Sequence, residues 1–384
     1  MLKLKTLLQQ HSLTQAALAR ALDLSEATLA QIVNHHQWPK QDTDALKHRI
    51  RAWLRDQGIA ADDCFDGVTA DGKENRTTPS NEEDTMLLKK QVLTPATKKH
   101  FGLFRAPFDD QAMQGHEDVF LTPESRYVRE ALYQTARYGG FIAVIGESGS
   151  GKSTLRRDLT DRIYRENAPV VVIEPYVLAM EDNDHQGKTL KAASLAEAIV
   201  HTLAPLEKLK RSPEARFRQL HRLLKDSSRA GYSHVLVIEE AHALPIATLK
   251  HLKRFFELED GFKKLLSIVL LGQPELGDKL SERLLAVREV VQRCEVIDLP
   301  PLDDHLADFL DFKFKRVGGD INNVLGPDAI PALRQRLSWL RPKKDTPVSL
   351  LYPLAIGNLV TAAMNLAAQN AIPVIDANII HSVH

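Results

Sequence analysis

Several things are scarce in this chain of 384 residues, and each scarcity excludes a class. There are two cysteines, Cys64 and Cys294, which give neither a disulfide framework nor a metal-ligand pattern. No apolar run approaches the roughly 20 residues that a membrane span requires. The start, MLKLKTLLQQ, lacks the apolar core and small-residue cleavage site of a secretory leader. These features predict a cytoplasmic protein with no membrane partner. Net charge is also absent: Lys plus Arg is 50 and Asp plus Glu is 50. A wholesale polyanion binder would be basic, so contact with nucleic acid must come from local patches. Hydrophobic residues are not scarce, at 43%, and the length predicts two or three domains with sizeable cores.

Three segments differ in pattern. Residues 1–56 read as helical: Ala17, Leu18 and Ala21 share a face, as do Leu46, Ile50 and Trp53. Residues 57–88 lose that periodicity. Within them DDCFDGVTADGKENRTTPSNEED holds eight acids against Lys73 and Arg76, a balance of minus six. Such a stretch buries too little to order itself and reads as an acidic flexible linker. Residues 89–301 alternate β-rich runs (FIAVIG, VVVIEP, HVLVIEE, LLSIVLLG, CEVIDL) with helical stretches. That alternation predicts an α/β fold with a parallel sheet covered by helices. Residues 302–384 show no such strands and read as a helical lid with a C-terminal tail.

Gly146, Glu147, Ser148, Gly149, Ser150, Gly151, Lys152 and Ser153 fit G-x-x-x-x-G-K-[ST] between a strand and a helix that Thr154 continues. Gly149 and Gly151 let backbone N–H groups curl around phosphate oxygens at a helix N-terminus. Lys152 is placed for the β- and γ-phosphates of ATP, and Ser153 for Mg²⁺. In VLVIEEAH, two acids end a buried strand, where charge needs a partner. Glu239 is read as the metal acid and Glu240 as the residue that orients water. The first acid in such pairs is more often Asp. Gln273 ends a later strand on the sheet edge where ligands gather. Arg293, then Arg288, are candidates to complete a neighbouring subunit's site, and Arg283 is a weaker one. His242 is a possible relay or a packed core histidine.

Six motifs in order, KKHFGLFRAPFDD, FLTPESRYVREAL, GGFIAVIGESGSGKSTLRRDL, VLVIEEAHAL, LLGQPEL and QRCEVIDLPPL, resemble the ExeA-type branch of the AAA+ P-loop NTPases from about Lys98 to Leu302. That branch includes secretion accessory ATPases and transposition ATPases, TniB and TnsC among the latter. LTQAALARALDLSEATLAQIV resembles the helix-turn-helix of λ-repressor-like domains. With no membrane segment after the ATPase, the chain is most similar to the Mu-type phage transposition ATPases.

The resemblance implies ATP-dependent self-association into helical oligomers on double-stranded DNA, largely without sequence preference. It further implies target selection, delivery of that DNA to a transposase, and disassembly on hydrolysis. Lys188 and Lys191 fall in the region that faces DNA in such relatives. Lys250, Lys253 and Arg254 make a second basic patch. On the helix-turn-helix, Ser25, Thr28 and Gln31 would face a groove. One departure concerns the lid: relatives often place an arginine after a proline there, and this chain has Leu354 after Pro353. The alternatives are an ATP-switched transcriptional regulator and a secretion accessory ATPase.

Overall fold

The computed structural model describes residues 18–19, 21–22, 24–25, 43–57, 87–109, 113, 115–175, 192–281, 287–340 and 347–383. The chain divides into two units, Met1–Thr85 and Met86–His384.

In the first unit, helix α1 spans Thr43–Asp56. Its buried stripe is Leu46, Ile50 and Leu54, a strict i, i+4, i+8 line, and Trp53 stays half-exposed beside it. Leu18, Ala19 and Leu22 are buried, whereas Ala21, expected on that face, is exposed. The Arg49 guanidinium of α1 donates to the Leu22 carbonyl at 2.6 Å, satisfying an acceptor at the end of a turn. The acidic stretch, and Thr28 and Gln31, lie outside the described residues; Ser25 is described.

The second unit opens with helix α2 (Pro95–His100) and then α3 (Pro123–Tyr138). Thr122 caps α3 by accepting from the Ser125 N–H, with Pro123 at the first helical position. Strand β1 (Phe141–Ile145) leads through the glycine loop into α4 (Lys152–Arg165) and β2 (Val170–Ile173). Helices α5 (Ala192–Leu203) and α6 (Pro213–Arg229) precede β3 (Ser233–Ile238). Helix α7 (Ile246–Phe256) runs into a tight hairpin, β4 (Glu259–Asp260) with β5 (Lys263–Lys264), before β6 (Ser267–Gly272). Short helices α8 (Pro274–Lys279) and α9 (Arg288–Val291) lead to β7 (Glu295–Asp298).

The five long strands form one sheet in the order β2-β3-β6-β1-β7, every pair parallel. All five β-rich runs of the sequence are strands of it. Successive residues face opposite layers: Ala143, Leu236 and Leu270 join the core under α5, α6 and α7. Val144, Val237 and Leu271 join the core under α3 and α4. Burial on both faces explains why the central strands β1, β3 and β6 read as continuous apolar runs rather than alternating ones. Each fully buried Leu or Val contributes about 1.5–3 kcal/mol.

The rest is mainly helical: α10 (Leu306–Arg316), α11 (Ala329–Arg336), α12 (Pro353–Gln369) and α13 (Ala377–Ser382) around a third core centred on Phe309, Phe314 and Met364. The sequence pattern predicts no strand here, yet β8 (Ser338–Leu340) pairs antiparallel with β9 (Pro347–Ser349), Trp339 opposite Val348. Three-residue strands are too short to show an alternation in sequence. Leu93 and Leu103 also pack in this helical core, and Asn358 and Asn365 of α12 hold the backbone of Gln91, Val92 and Thr94. Among the described residues no helix is long and apolar enough to cross a membrane.

Candidate functional site

The glycine loop sits where β1 ends and α4 begins. Gly149 and Gly151 have φ of +76° and +102°, a region that side chains with a Cβ enter only under strain. They curl the chain so that α4 starts at Lys152 with its N-terminus aimed into a cavity of about 300 Å³. The wall includes Ser148 to Thr154, Glu240 and Gln273. The far side is built by Phe120, Phe309, Lys313, Pro353 and Leu354. Sequence positions more than 200 residues apart thus close one pocket.

Lys152 is buried and folds back on its own loop. Its ammonium donates to the carbonyls of Gly146 (2.7 Å) and Glu147 (2.8 Å) and lies 3.4 Å from the Ser150 hydroxyl. Burial pushes its pKa below the ordinary lysine value, against the opposing pull of Glu240, Glu147 and Glu239. An anion in the cavity would restore what burial takes from this charge. The helix behind the loop is fixed by a forked pair: Arg129 of α3 donates to both oxygens of buried Asp158 at 2.6 and 3.1 Å.

The two acids after β3 diverge. Glu240 adopts a left-handed backbone (φ 48°, ψ 35°) and lines the cavity. One of its oxygens is 3.6 Å from His242 Nδ1. The same nitrogen accepts from the Gln273 N–H at 3.4 Å, so His242 links the turn after β3 to the end of β6. Lys279 donates to the carbonyls of His242 and Leu244, pinning this turn to α8. Gly272 permits the approach, since a Cβ there would lie 2.7 Å from the Leu276 side chain and 3.2 Å from the His242 backbone nitrogen.

Glu239, read from the sequence as the metal acid, does not line this cavity. Its Oε1 faces Arg156 Nε at 3.2 Å. Among the described residues no group of three or more His, Cys, Asp or Glu is gathered for a metal ion. Ser153 does face the cavity. Ser153 and Glu239 are thus placed differently: the hydroxyl lines the cavity, whereas the carboxylate is engaged by a guanidinium.

The candidate arginines also separate. Arg293 is engaged within its own chain, donating to the Glu289 carbonyl at 2.9 Å and pairing with Glu257 at 3.3 Å. Arg288, at the start of α9, is exposed. Arg283 lies outside the described residues, as do Lys188 and Lys191. Of the second basic patch, Lys253 pairs with Glu257 and Glu289, while Lys250 and Arg254 line the same surface groove. Sequence reasoning missed Arg156, Lys313 and Lys279, since nothing in their local pattern marks a site. It did register Leu354 as a departure, and the structure places that residue directly on the loop.

The sheet order and the loop at the end of β1 make this an AAA+ P-loop ATPase fold. Residues 135–280 match the family model described as an AAA domain. Over 256 residues the chain is 27% identical to general secretion pathway protein A of Aeromonas hydrophila, covering 61% of this chain and 40% of that protein. The chain therefore spans about two fifths of the length of that curated relative. Among solved structures, Cdc6p of Pyrobaculum aerophilum has a TM-score of 0.45 at 16% identity, covering 74% of this chain and 69% of that one. A Walker-type ATPase of Pyrococcus abyssi also has a TM-score of 0.45, at 18% identity, covering 72% and 74%.

Proposed function

We propose that the chain binds ATP in the cavity between the glycine loop and the lid and uses hydrolysis to control assembly on double-stranded DNA. The observation that carries the nucleotide part is the convergence of Ser148 to Thr154, Glu240, Gln273 and the lid residues on one cavity. In this reading the backbone N–H groups of the loop and Lys152 hold the phosphates. Glu240, which lines the cavity, accepts a proton from the attacking water. Gln273 meets the terminal phosphate, and the Ser153 hydroxyl is the group left to meet a nucleotide-borne Mg²⁺. Preorganised donors around the transferred phosphoryl group supply most of the rate in such chemistry.

The finer reading is a transposition ATPase that selects target DNA and delivers it to a transposase. Its support is the order of the six motifs together with the repressor-like N-terminal sequence. It uses four parts: a helix-turn-helix at 1–56, a linker at 57–88, the ATPase body at 89–301 and the lid and tail at 302–384. Lys188 and Lys191 contact DNA phosphates, and Ser25, Thr28 and Gln31 face a groove. Phosphate contacts position DNA without reading sequence. A tethered second contact raises avidity through local concentration.

A second reading, a secretion accessory ATPase, is favoured by the similarity to general secretion pathway protein A. Co-purification separates the two. Stable ATP-dependent retention of random duplex DNA supports the first, and retention on an envelope protein complex without DNA supports the second.

A further inference from the structure

Arg156 stands one turn after Lys152 on α4, at the i+4 position and so on the same side of the helix. Its guanidinium lies between two carboxylates from adjacent parallel strands. Glu174 follows the last residue of β2 and Glu239 follows the last residue of β3. Arg156 Nη1 donates to Glu174 at 2.7 Å, and Arg156 Nε faces Glu239 Oε1 at 3.2 Å. The two facing atoms of the second contact are shut off from solvent, and neither makes a hydrogen bond. Glu239 is therefore paired in charge with the guanidinium, which Glu174 fixes through a hydrogen bond.

This arrangement accounts for two oddities together. The first acid of the pair is Glu where Asp is more usual, and Glu240 rather than Glu239 lines the cavity. A glutamate side chain spans the distance to Arg156; an aspartate, one methylene shorter, would fall short of a 3.2 Å contact. A divalent cation bound by Glu239 would have to displace the guanidinium or sit against it. Like charges at such range oppose each other strongly in a partly buried site.

We infer that Arg156 is a resident cation that takes Glu239 out of metal binding, so that nucleotide binding by this chain depends only weakly on Mg²⁺. The inference rests on the nucleotide reading above. It concerns binding, and assigns no chemical step.

The test is equilibrium binding of a fluorescent N-methylanthraniloyl-ATP to the full chain, in saturating Mg²⁺ and in excess chelator. The wild type is expected to change affinity by no more than about threefold between the two conditions. Glu239→Asp, a mild change that breaks reach to Arg156, is expected to open a gap of about tenfold or more. Arg156→Gln should do the same, and Arg156→Lys, which keeps the charge, should behave more like the wild type. A tenfold loss in chelator for the wild type would overturn the inference, as would a Glu239→Asp variant indistinguishable from it. If no nucleotide binds under either condition, the nucleotide reading itself falls. Binding with full Mg²⁺ dependence removes only the role given to Arg156.

Discussion

The backbone N–H of Leu354 donates to the carbonyl of Gly149 at 3.3 Å, and a Cβ built on Gly149 would lie 2.3 Å from the Cβ of Leu354. The first turn of the lid helix α12 therefore rests on the phosphate loop itself. In the place where the resemblance leads one to expect an arginine, the lid presents backbone and an aliphatic side chain.

That contact makes Gly149→Ala doubly unfavourable. The residue would have to hold a φ of +76° and overlap the lid. Backbone strain and overpacking of this kind each cost about 1–3 kcal/mol. The thermal unfolding midpoint should fall, and nucleotide binding should weaken at least tenfold, about 1.4 kcal/mol. Shortening the neighbour in Gly149→Ala/Leu354→Gly should recover part of the stability, because only the overlap is relieved. Calorimetry of the three proteins checks this.

Lys152 gives a pH dependence with a defined sign. Burial depresses its pKa in the nucleotide-free protein below the ordinary value of 10.5. A phosphate beside it would raise that pKa, so binding takes up a proton wherever the free lysine is already neutral. Affinity should be flat below the depressed lysine value and should fall as pH rises through it toward 10.5. Isothermal titration in buffers of different ionisation enthalpy would register the proton uptake. Lys152→Ala should abolish binding throughout, leaving no pH dependence to measure.

His234, buried within β3, has both ring nitrogens engaged, Nδ1 with the Leu265 carbonyl at 3.0 Å and Nε2 with the Ser227 hydroxyl at 2.8 Å. Burial lowers its pKa below 6.5, opposed by the bond to Leu265. The unfolded chain then binds the proton more tightly than the folded one, so stability is lost as pH falls from about 6.5 toward the depressed value. The unfolding midpoint should drop across that window, and His234→Asn should show a flatter profile from a lower starting point. A wild-type midpoint that holds steady as pH falls below 6 would contradict the assignment.

Much of this was legible in the sequence, for physical reasons that can be named. The central strands β1, β3 and β6 are buried on both faces and leave nearly unbroken apolar runs, while the edge strand β7 was visible as a short β-branched run despite its exposed residues. The phosphate loop was visible because its backbone geometry demands glycine at fixed places. What escaped depends on side-chain reach or on distant partners. Leu54 takes the buried position expected of Trp53, continuing the i, i+4 line from Leu46 and Ile50 by a further four residues where the sequence reading stepped three. Arg156 looks like any helix-surface arginine until β2 and β3 are set side by side. The contact of Leu354 with Gly149 joins positions that no local period connects.

The arginines make a prediction about assembly. Arg293 is tied to Glu257 and to the Glu289 carbonyl, while Arg288 is exposed at the start of α9. If a neighbouring subunit completes each site, Arg288→Ala should reduce the concentration-dependent part of ATP turnover by about tenfold or more. Arg293→Ala should act mainly on stability. The reverse pattern would restore Arg293, the first candidate from the sequence, to that role.

The central claim is that nucleotide controls assembly on DNA. The most direct test is binding of the full chain to random-sequence duplex DNA at one fixed salt concentration, with ATP, with ADP and without nucleotide. Salt must be fixed because phosphate contacts dominate such affinities. The account predicts tight, cooperative binding with ATP alone, lost in Lys152→Ala. Binding that ignores nucleotide, or that requires one particular sequence, would contradict it.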